Sequence, residues 1–358
     1  MVDENEKNEL PSEAERSWLV TGGCGFIGTA LIRSLLDRGK PRLIRVLDNL
    51  SVGTREDLRR VCEFDEVAVE RLSDAGETPP KRSHAEDLEG GSKAGGNHVQ
   101  LVVGDIRDAA TCAKCCEGVD VVVHLAASTG VGPSVEDPRF DMESNVVGTL
   151  NMLEGARANG VKRFVFASSG APVGEVDPPI HEELAPHPVS PYGASKLAGE
   201  GYCSAYFRSF GLETVALRFS NVYGPGSTHK ASVVAKFIKQ ALDGETLEIY
   251  GDGTQTRDFV YIDDLVRAIR LAAAREGAAG EAFQIATARE TTVGELTELL
   301  VEVLAEHGVE GVKVVHGEFR TGDVKRNFSD TRKAREVLGW EARMELRAGL
   351  EKAVRSFE

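Results

Sequence analysis

Short apolar runs alternate with amphipathic segments along the first half of the chain. Residues 18–21 form one such run, a glycine-rich turn follows it, and an apolar-periodic helix then extends through Leu35 and Leu36. Further apolar runs that predict strands lie at residues 43–48, 99–103, 119–124 and 163–167. Because strands that alternate with helices pair in parallel, the pattern predicts an α/β fold built on a doubly wound parallel sheet.

The pattern becomes mixed after residue 200. Strands are predicted at residues 213–219 and 247–250. The predicted helices of this half lie at residues 232–242, 263–275, 293–307 and 330–338. We therefore expect a smaller mixed α/β lobe over residues 201–358, which shares segments with the sheet formed mainly by residues 17–200.

Residues 61–98 break the alternation between the second helix and the third strand. They end in the polar, glycine-rich stretch 89–97, a composition typical of surface linkers. We interpret residues 61–98 as an inserted surface segment. A functional lid is the less favoured alternative.

The composition is typical of a folded chain and limits the classes of partner that it can bind. The 358 residues are 41% hydrophobic, which is enough for a sizeable core, and carry a net charge of −15. Nucleic acid is disfavoured as a partner, because phosphate binding requires a basic surface. Residues 1–16 form a polar, acidic tail without the apolar core of a secretory signal, and no apolar run approaches the ~20 residues that span a bilayer. We therefore expect a cytoplasmic protein with no membrane partner.

The cysteines are scattered in a way that is typical of reduced thiols rather than of a disulfide framework. Cys112, Cys115 and Cys116 form a cluster that could suggest a metal site. No second Cys or His pair with the spacing of a zinc finger accompanies the cluster, so we expect neutral thiols and no metal.

A glycine turn, Gly22-x-x-Gly25-x-x-Gly28, joins the first predicted strand to the first helix. Glycines at this spacing let backbone amides approach a pyrophosphate at the positive end of the helix. The next strand ends in Asp48, whose carboxylate can accept both hydroxyls of an adenosine ribose and would repel a 2′-phosphate. The sequence therefore predicts that residues 17–200 form an NAD-binding Rossmann domain.

Tyr192 and Lys196 lie one helical turn apart in Tyr192-Gly-Ala-Ser-Lys196. A free tyrosine titrates near pH 10, so a basic role near neutrality requires its pKa to fall by roughly three units, or about 4 kcal/mol. We expect the Lys196 ammonium to supply much of that shift and still to reach a cofactor hydroxyl. Any helix with Tyr and Lys at this spacing would match. A catalytic role for the pair therefore needs support from other segments.

Several motifs in a fixed order identify the family that the chain resembles. It resembles the extended short-chain dehydrogenase/reductase family, specifically the NAD-dependent nucleotide-sugar epimerases and dehydratases of the UDP-glucose 4-epimerase type. The resemblance covers nearly the whole chain apart from the tail and the 61–98 segment. The motifs that carry it are Thr21-Gly-Gly-Cys-Gly-Phe-Ile-Gly28, Asp48-Asn-Leu50, Gly104-Asp-Ile-Arg-Asp108, His124-Leu-Ala-Ala127, Asn145-Val-Val-Gly-Thr149, Tyr192-Gly-Ala-Ser-Lys196, Leu217-Arg-Phe-Ser-Asn-Val-Tyr-Gly-Pro225 and Thr256-Arg-Asp-Phe-Val-Tyr261.

The resemblance implies an NAD site and a substrate site for a UDP-sugar. Asp105 and Ile106 would flank the adenine, and Lys196 would bond the nicotinamide ribose. The cofactor-binding residues that it implies are Gly22, Gly25, Phe26, Ile27, Gly28, Asp48, Asn49, Asp105, Ile106, Leu125, Ala126, Ala127, Asn145, Tyr192 and Lys196. The substrate-binding residues that it implies are Ser169, Tyr192, Asn221, Arg257, Arg320 and Asp323.

The catalytic residues that the resemblance implies are Ser169, Tyr192 and Lys196. Ser169 aligns with the catalytic Ser or Thr of the family and would assist proton transfer between the sugar and Tyr192. Its neighbour Ser168 is the structural alternative, since serines at a strand end often only cap backbone groups. A homodimer is also implied, with the helices near residues 145–159 and 192–209 at a four-helix interface.

Departures from the family pattern narrow the choice among the reactions that the family catalyses. Related 4,6-dehydratases and glucuronate decarboxylases carry a Glu where this chain has Ala171, so we expect C4 epimerisation of a UDP-hexose through a transient 4-keto sugar. Those two activities remain the alternative, and a non-catalytic dinucleotide-binding regulator is the third hypothesis. Val173 replaces the usual Tyr of the same segment. Asn327 occupies the position where a bulky residue can exclude an N-acetyl group, so N-acetylated sugars could also be accepted.

Overall fold

The computed structural model describes residues 16–39, 41–74, 99–227, 232–319 and 325–357. An eight-stranded sheet lies at its centre. In chain order the strands of the described residues are β1 (Ser17–Thr21), β2 (Leu43–Asp48), β3 (Asp65–Glu66), β4 (Val99–Val103), β5 (Val121–His124), β6 (Arg163–Ser169), β7 (Glu213–Phe219), β8 (Asn221–Tyr223), β9 (Leu247–Tyr250), β10 (Thr256–Arg257), β11 (Phe259–Tyr261), β12 (Glu281–Ile285), β13 (Thr291–Thr292) and β14 (Val314–Gly317).

Helices connect the strands. In chain order they are α1 (Phe26–Arg38), α2 (Arg55–Arg59), α3 (Ala109–Cys115), α4 (Val131–Glu136), α5 (Pro138–Met142), α6 (Gly148–Ala158), α7 (Pro191–Phe210), α8 (Val233–Leu242), α9 (Ile262–Ala274), α10 (Val293–Glu306) and α11 (Leu346–Arg355). Two π-helical segments, Glu143–Val147 and Ala334–Leu338, and a 3₁₀ helix, Val69–Asp74, complete the described elements. None of the described helices is long and apolar enough to cross a membrane.

The large sheet has the strand order β12-β7-β6-β5-β1-β2-β4-β3, and every pairing in it is parallel. The predicted doubly wound sheet is therefore confirmed. The chain leaves β1 towards β2 on one side and returns to β5 on the other, so a crevice opens beyond the carboxyl ends of β1 and β5. Thr21 and His124 stand side by side at this edge.

Both faces of the sheet are buried, which explains the continuous apolar runs in its strands. Trp18 and Val20 of β1 belong to one hydrophobic cluster, whereas Leu19 between them belongs to a second. Side chains of α1, including Leu31 and Leu35, cover the first face. The alternation along β1 thus fixes helices on both sides of the sheet.

Several predicted boundaries differ from the structure by a few residues, as two examples illustrate. The strand predicted over residues 119–124 begins at Val121, because the Val119 amide donates to the Cys116 carbonyl at 3.3 Å in a preceding turn. In the helix predicted over residues 145–159, residues 145–147 belong to the π-helical segment, and α6 itself begins at Gly148 and ends at Ala158. Strands β7 and β12 of the large sheet lie after residue 200. The division into two lobes stays a prediction.

All six cysteines are free thiols, and all except Cys62 are buried. Burial raises the pKa of the Cys115 thiol to about 12 and also raises that of Cys112 and Cys116. These three thiols are therefore protonated near neutral pH, the form that does not bind metals. Within the described ranges, no group of three or more His, Cys, Asp or Glu residues has the arrangement of a metal site.

The glycine turn after β1 tolerates no side chain at Gly28. A Cβ there would lie 2.5 Å from the Gly22 carbonyl oxygen and 2.5 Å from the Cα atom of Gly23. Both are backbone atoms, so they cannot rotate away. Gly28 therefore lets α1 start close against the end of β1.

We expect Gly28→Ala to lower the free energy of unfolding by roughly 1–3 kcal/mol, because the added methyl group overpacks a rigid backbone contact. Urea unfolding followed by circular dichroism measures the change. Gly201→Ala on α7 is the control, since a Cβ there meets nothing within 4 Å and alanine favours a helix. An unfolding midpoint for Gly28→Ala equal to that of the unaltered protein would contradict this interpretation of the turn.

Candidate active site

The first part of the site is the turn between β1 and α1. Gly25 precedes the helix with extended backbone, and no described side chain caps the helix there. Backbone amides at the start of a helix carry partial positive charge, so this end of α1 favours a phosphate group. Gly22 has a φ of +68°, and a Cβ on it would lie 2.9 Å from the Ala126 amide nitrogen. The close approach of these backbones forms a cradle that fits a dinucleotide pyrophosphate.

Asp48 closes β2 beside this turn and is only 7% exposed. One carboxylate oxygen accepts the Cys24 amide at 2.9 Å, and the other accepts the Leu50 amide at 2.8 Å. Burial raises the pKa of Asp48, and the two amides oppose that shift. Since each carboxylate oxygen can accept a second hydrogen bond, Asp48 can hold the turn and a ribose together.

Asp105 follows β4 and belongs to a hydrogen-bonded group at the predicted adenine side. Arg107 pairs with it at 2.9 Å, and Asn49 donates to it at 3.1 Å. The Arg107 hydrogen bonds lower the pKa of Asp105 to about 2. Asn151 of α6 donates to the Ile106 carbonyl at 3.0 Å and so fixes this segment. The sequence analysis did not select Arg107 or Asn151 as site residues, because nothing in their spacing marks these contacts.

A buried polar chain connects β1, β5 and α6. His124 contacts Thr21 Oγ1 through Nδ1 at 2.8 Å and Thr149 Oγ1 through Nε2 at 3.1 Å. Burial lowers the pKa of His124 to about 3, so the ring is neutral. The Thr149 hydroxyl donates to the Asn145 carbonyl at 2.6 Å and therefore accepts from Nε2–H. His124 thus acts as a neutral spacer with a defined tautomer.

Two of these polar groups also hold the loop after β5, where Leu125, Ala126 and Ala127 lie. The Ala126 amide donates to Thr21 Oγ1 at 3.1 Å. Asn145 accepts the Ser128 amide at 2.8 Å and donates to the Ser128 carbonyl at 2.9 Å. The loop is consequently fixed beside the glycine turn.

Ser169, Tyr192 and Lys196 come together at the end of β6 and the start of α7. Ser190 caps α7 by accepting the Gly193 amide at 3.1 Å. Ser169 and Tyr192 stand side by side, close enough for side-chain hydrogen bonding by Ser169 to oppose the rise that desolvation causes in the pKa of the phenol. Lys196 Nζ donates to the Ala167 carbonyl at 2.8 Å and lies 5.9 Å from the centre of the Tyr192 ring.

Burial dominates the electrostatics of Tyr192 and Lys196. Desolvation raises the pKa of Tyr192 overall, despite the hydrogen bond from Ser169. Burial lowers the pKa of the Lys196 ammonium to about 8. Lys196 is not among the groups that shift the pKa of Tyr192 in this arrangement, since its ammonium bonds the Ala167 carbonyl. The fall that a basic role requires, to which we expect Lys196 to contribute, stays a prediction.

The two adjacent serines of β6 have different surroundings. Ser168 is buried and donates to Glu200 Oε1 at 2.5 Å. Arg218 holds the same carboxylate with two hydrogen bonds, at 2.9 and 2.8 Å. Neighbouring residues of a strand point to opposite faces, so Ser169 turns towards Tyr192 when Ser168 turns towards Glu200.

Asn221 and Arg257 border a cavity of about 320 Å³. The Asn221 side chain donates to the Asp258 carbonyl at 3.3 Å, and Arg257 Nη1 donates to the Thr256 carbonyl at 2.7 Å. Arg320 and Asp323 lie outside the described residues. Other residues around this cavity that the sequence analysis did not select are Lys236, Glu248, Tyr250 and Gln255. Their positions depend on the packing of α8 against β9, which no local motif reveals.

Several other proteins are similar to this chain in both sequence and fold. The chain is 35% identical to a UDP-glucose 4-epimerase of Mycolicibacterium smegmatis, over 95% of this chain and 97% of that protein. A crystal structure of UDP-glucose 4-epimerase from Thermotoga maritima with UDP-glucose is 35% identical, with a TM-score of 0.79 over 95% of this chain and 98% of that one. A UDP-N-acetylglucosamine 4-epimerase from Methanobrevibacter ruminantium is 28% identical, with a TM-score of 0.80 over 96% and 98% of the two chains.

The family assignment rests on most of the chain. A model of the NAD dependent epimerase/dehydratase family matches residues 18–286. That range contains the glycine turn, Asp48 and the Ser169–Tyr192–Lys196 trio. The cradle at α1 fits the cofactor in the family's description, because Gly22, Gly25 and Gly28 bring backbone groups close together at a helix start that no described side chain caps. The chain therefore belongs to the NAD-dependent epimerase/dehydratase family.

Proposed function

We propose that the protein is an NAD-dependent UDP-hexose 4-epimerase that interconverts UDP-glucose and UDP-galactose through a 4-keto sugar. The observation that carries the proposal is the placement of Ser169 and Lys196 next to Tyr192, together with Ala171 at the position where a dehydratase would carry Glu. Similarity to UDP-glucose 4-epimerases along nearly the whole chain supports it.

Each catalytic side chain has a separate part in this proposal. Tyr192 takes the proton of the sugar C4 hydroxyl and later returns it, while Ser169 stabilises the phenolate by donating a hydrogen bond. Bound NAD supplies the acceptor and then the donor of the hydride at C4. Lys196 has three donors, so its bond to Ala167 leaves capacity for the nicotinamide ribose.

The dehydratase and decarboxylase alternatives require a group that the turn lacks. Loss of water needs an acid and a base near the sugar C5 and C6 atoms, and neither Gly170 nor Ala171 has an ionisable side chain. Val173 in the same turn is fully buried, so it packs in the interior and does not face a ligand. Epimerisation at C4 needs no further acid.

For the substrate nucleotide, we assign Asn221 and Arg257 to the diphosphate. The family resemblance implies Arg320 as a further diphosphate contact and Asp323 as a contact of the uridine ribose. A guanidinium offers paired donors to phosphate oxygens, and the cavity beside Arg257 provides the space. A cytoplasmic location stays a prediction from the sequence.

We expect Tyr192→Phe to lower kcat for UDP-glucose epimerisation by about 10²- to 10⁴-fold, because the proton of the C4 hydroxyl loses its acceptor. Chromatography of the sugar nucleotides after incubation with UDP-glucose measures it. Tyr202→Phe on the same helix is the matched control, since its side chain is exposed. Full activity of Tyr192→Phe would refute the mechanism, and loss of water or carbon dioxide from UDP-glucose or UDP-glucuronate would favour the alternative reactions.

N-acetylated sugars are a second substrate class that we propose. Asn327 is half-buried, and its backbone amide donates to Thr256 Oγ1 at 3.3 Å. The backbone is thus fixed where a side chain of modest size occupies the position that can exclude an acetyl group. We expect turnover of both UDP-glucose and UDP-N-acetylglucosamine. Asn327→Tyr should reduce turnover of the acetylated sugar at least tenfold more than that of UDP-glucose, since a ring would fill the space that the acetyl group needs.

Asn327→Ser is the control for that comparison and should leave both substrates accepted, because it adds no bulk. Parallel chromatographic assays with the two sugars give the ratio of kcat/KM values. Strict rejection of UDP-N-acetylglucosamine by the unaltered enzyme would contradict the proposal for the second substrate without affecting the first.

A homodimer is the assembly that we propose. Apolar side chains stand exposed on the neighbouring elements α5, the first π-helical segment and α7. Exposed apolar patches of this kind commonly mark interfaces. The exposed side chains are Phe140, Met142, Val147, Tyr202 and Phe210.

We expect Val147→Arg to convert the dimer to a monomer at micromolar concentration, because the substitution buries a charge without a partner in the interface. Sedimentation velocity measures the mass. Val314→Arg is the control, since Val314 has similar exposure, 39% against 37%, but lies on β14. A mass that does not change for Val147→Arg would contradict the location of the interface.

A further inference from the structure

Asp141 is a buried carboxylate beside the active site that none of the steps above uses. It lies in α5 and is 2% exposed. Its Oδ1 atom accepts from Asn145 Nδ2 at 2.9 Å. Its Oδ2 atom is also buried and has no hydrogen-bond partner among the residues that the structure describes. A buried carboxylate of this kind is unfavourable unless a positive charge lies near it.

Asn145 Nδ2, which donates to Asp141, also donates to Ser195 Oγ at 3.2 Å, so Asp141 lies beside the turn of α7 that carries Lys196. Lys196 provides the positive charge. Its ammonium is buried, and of the groups that oppose the resulting fall in its pKa, Asp141 has the largest effect. Glu200 has a smaller effect, and its carboxylate is already held by Arg218 and Ser168. Asp141 is therefore the carboxylate whose charge is available to balance Lys196.

The same carboxylate acts on Tyr192. Asp141 raises the pKa of the phenol, in the same direction as desolvation and against the hydrogen bond from Ser169. A negative charge favours the protonated form of both neighbours, because it attracts an ammonium and repels a phenolate. One buried charge thus acts on both members of the Tyr192–Lys196 pair.

Other polar groups around the pair come from each element packed against it. The neutral ring of His124 approaches from β5, and Lys196 contributes to lowering its pKa. The pair also lies on α7 near Cys203, whose thiol has a raised pKa because of burial. The groups that face Tyr192 or Lys196 are Asp141 from α5, His124 from β5, the Ala167 carbonyl and Ser169 from β6, and Glu200 and Cys203 from α7.

We propose that Asp141 is a positioning residue of the reaction, which keeps Lys196 charged and sets the pH range in which Tyr192 works. It acts through these two residues and contacts neither sugar nor cofactor in this role. The inference rests on the proposed epimerase function. Removal of its charge should move both titrations in the same direction, which a purely structural role would not do.

The test is the pH dependence of kcat/KM for UDP-glucose in Asp141→Asn. We expect both the rising and the falling limb to move to lower pH by about one unit, because the protonated forms of Tyr192 and Lys196 lose the same stabilising charge. The maximum rate at the new optimum should stay within tenfold. A lower rate with both limbs at their original pH would overturn the proposal.

Two further variants control for packing and surface charge. Asp141→Glu keeps the charge and should leave the limbs in place, whereas Asp141→Ser gives the same shift as Asn if the Asn variant does not fold. Glu143→Gln removes a neighbouring carboxylate whose side chain is 42% exposed, and its profile should not change. An equal shift in Glu143→Gln would show a general charge effect and overturn the specific role.

A second measurement does not depend on turnover. Tyrosine ionisation is followed by absorbance near 295 nm, and the Tyr192 step is obtained by subtracting the titration of Tyr192→Phe. We expect this step at lower pH in Asp141→Asn than in the unaltered protein. Absence of epimerisation by the unaltered protein would reject the proposed function, whereas normal epimerisation with an unshifted Tyr192 step would reject only the role of Asp141.

Discussion

Charge burial along α7 is the constraint on which the active site depends. Lys196 and Glu200 are one helical turn apart on the face of α7 that packs against the sheet, and both are buried. Each needs a partner inside the protein, since an unmatched buried charge costs several kcal/mol. Arg218 of β7 satisfies Glu200, and the Ala167 carbonyl of β6 accepts from Lys196. The same contacts therefore fix α7 on the sheet and place Tyr192 next to Ser169.

The junction of β1, β5 and α6 on the opposite wall of the crevice is held by neutral hydrogen bonds. His124 bridges Thr21 and Thr149, so the ends of β1 and β5 are tied to α6 without an ion. This difference has a physical consequence. His124 stays neutral near pH 7 because burial lowers its pKa to about 3, whereas Tyr192 and Lys196 have pKa values that their surroundings raise and lower.

Much of the fold could be predicted because it follows from patterns of neighbouring residues along the chain. The strands predicted at 99–103, 213–219 and 247–250 have the same bounds in the structure, because each is an apolar run between turn residues. The roles of Gly28 and Asp48 could be predicted for the same reason, since a steric requirement for glycine and the end of a strand can both be recognised in the sequence. Those of Asp141 and Asn151 could not, because their partners are defined by helix packing across the site.

The sequence by itself determined the parallel sheet and the glycine turn, since these follow from periodicity and from the spacing of glycines. It also supplied the proposed catalytic side chains, through the motifs that carry the family resemblance. Only the tertiary structure decided how those side chains are charged. The sequence does not show which of Ser168 and Ser169 faces the site. The strand directs their side chains to opposite faces, so that Ser168 meets Glu200 and Ser169 meets Tyr192. The pKa of Tyr192 likewise depends on desolvation and on Asp141, 51 positions earlier in the chain, and such effects exist only once the chain has folded.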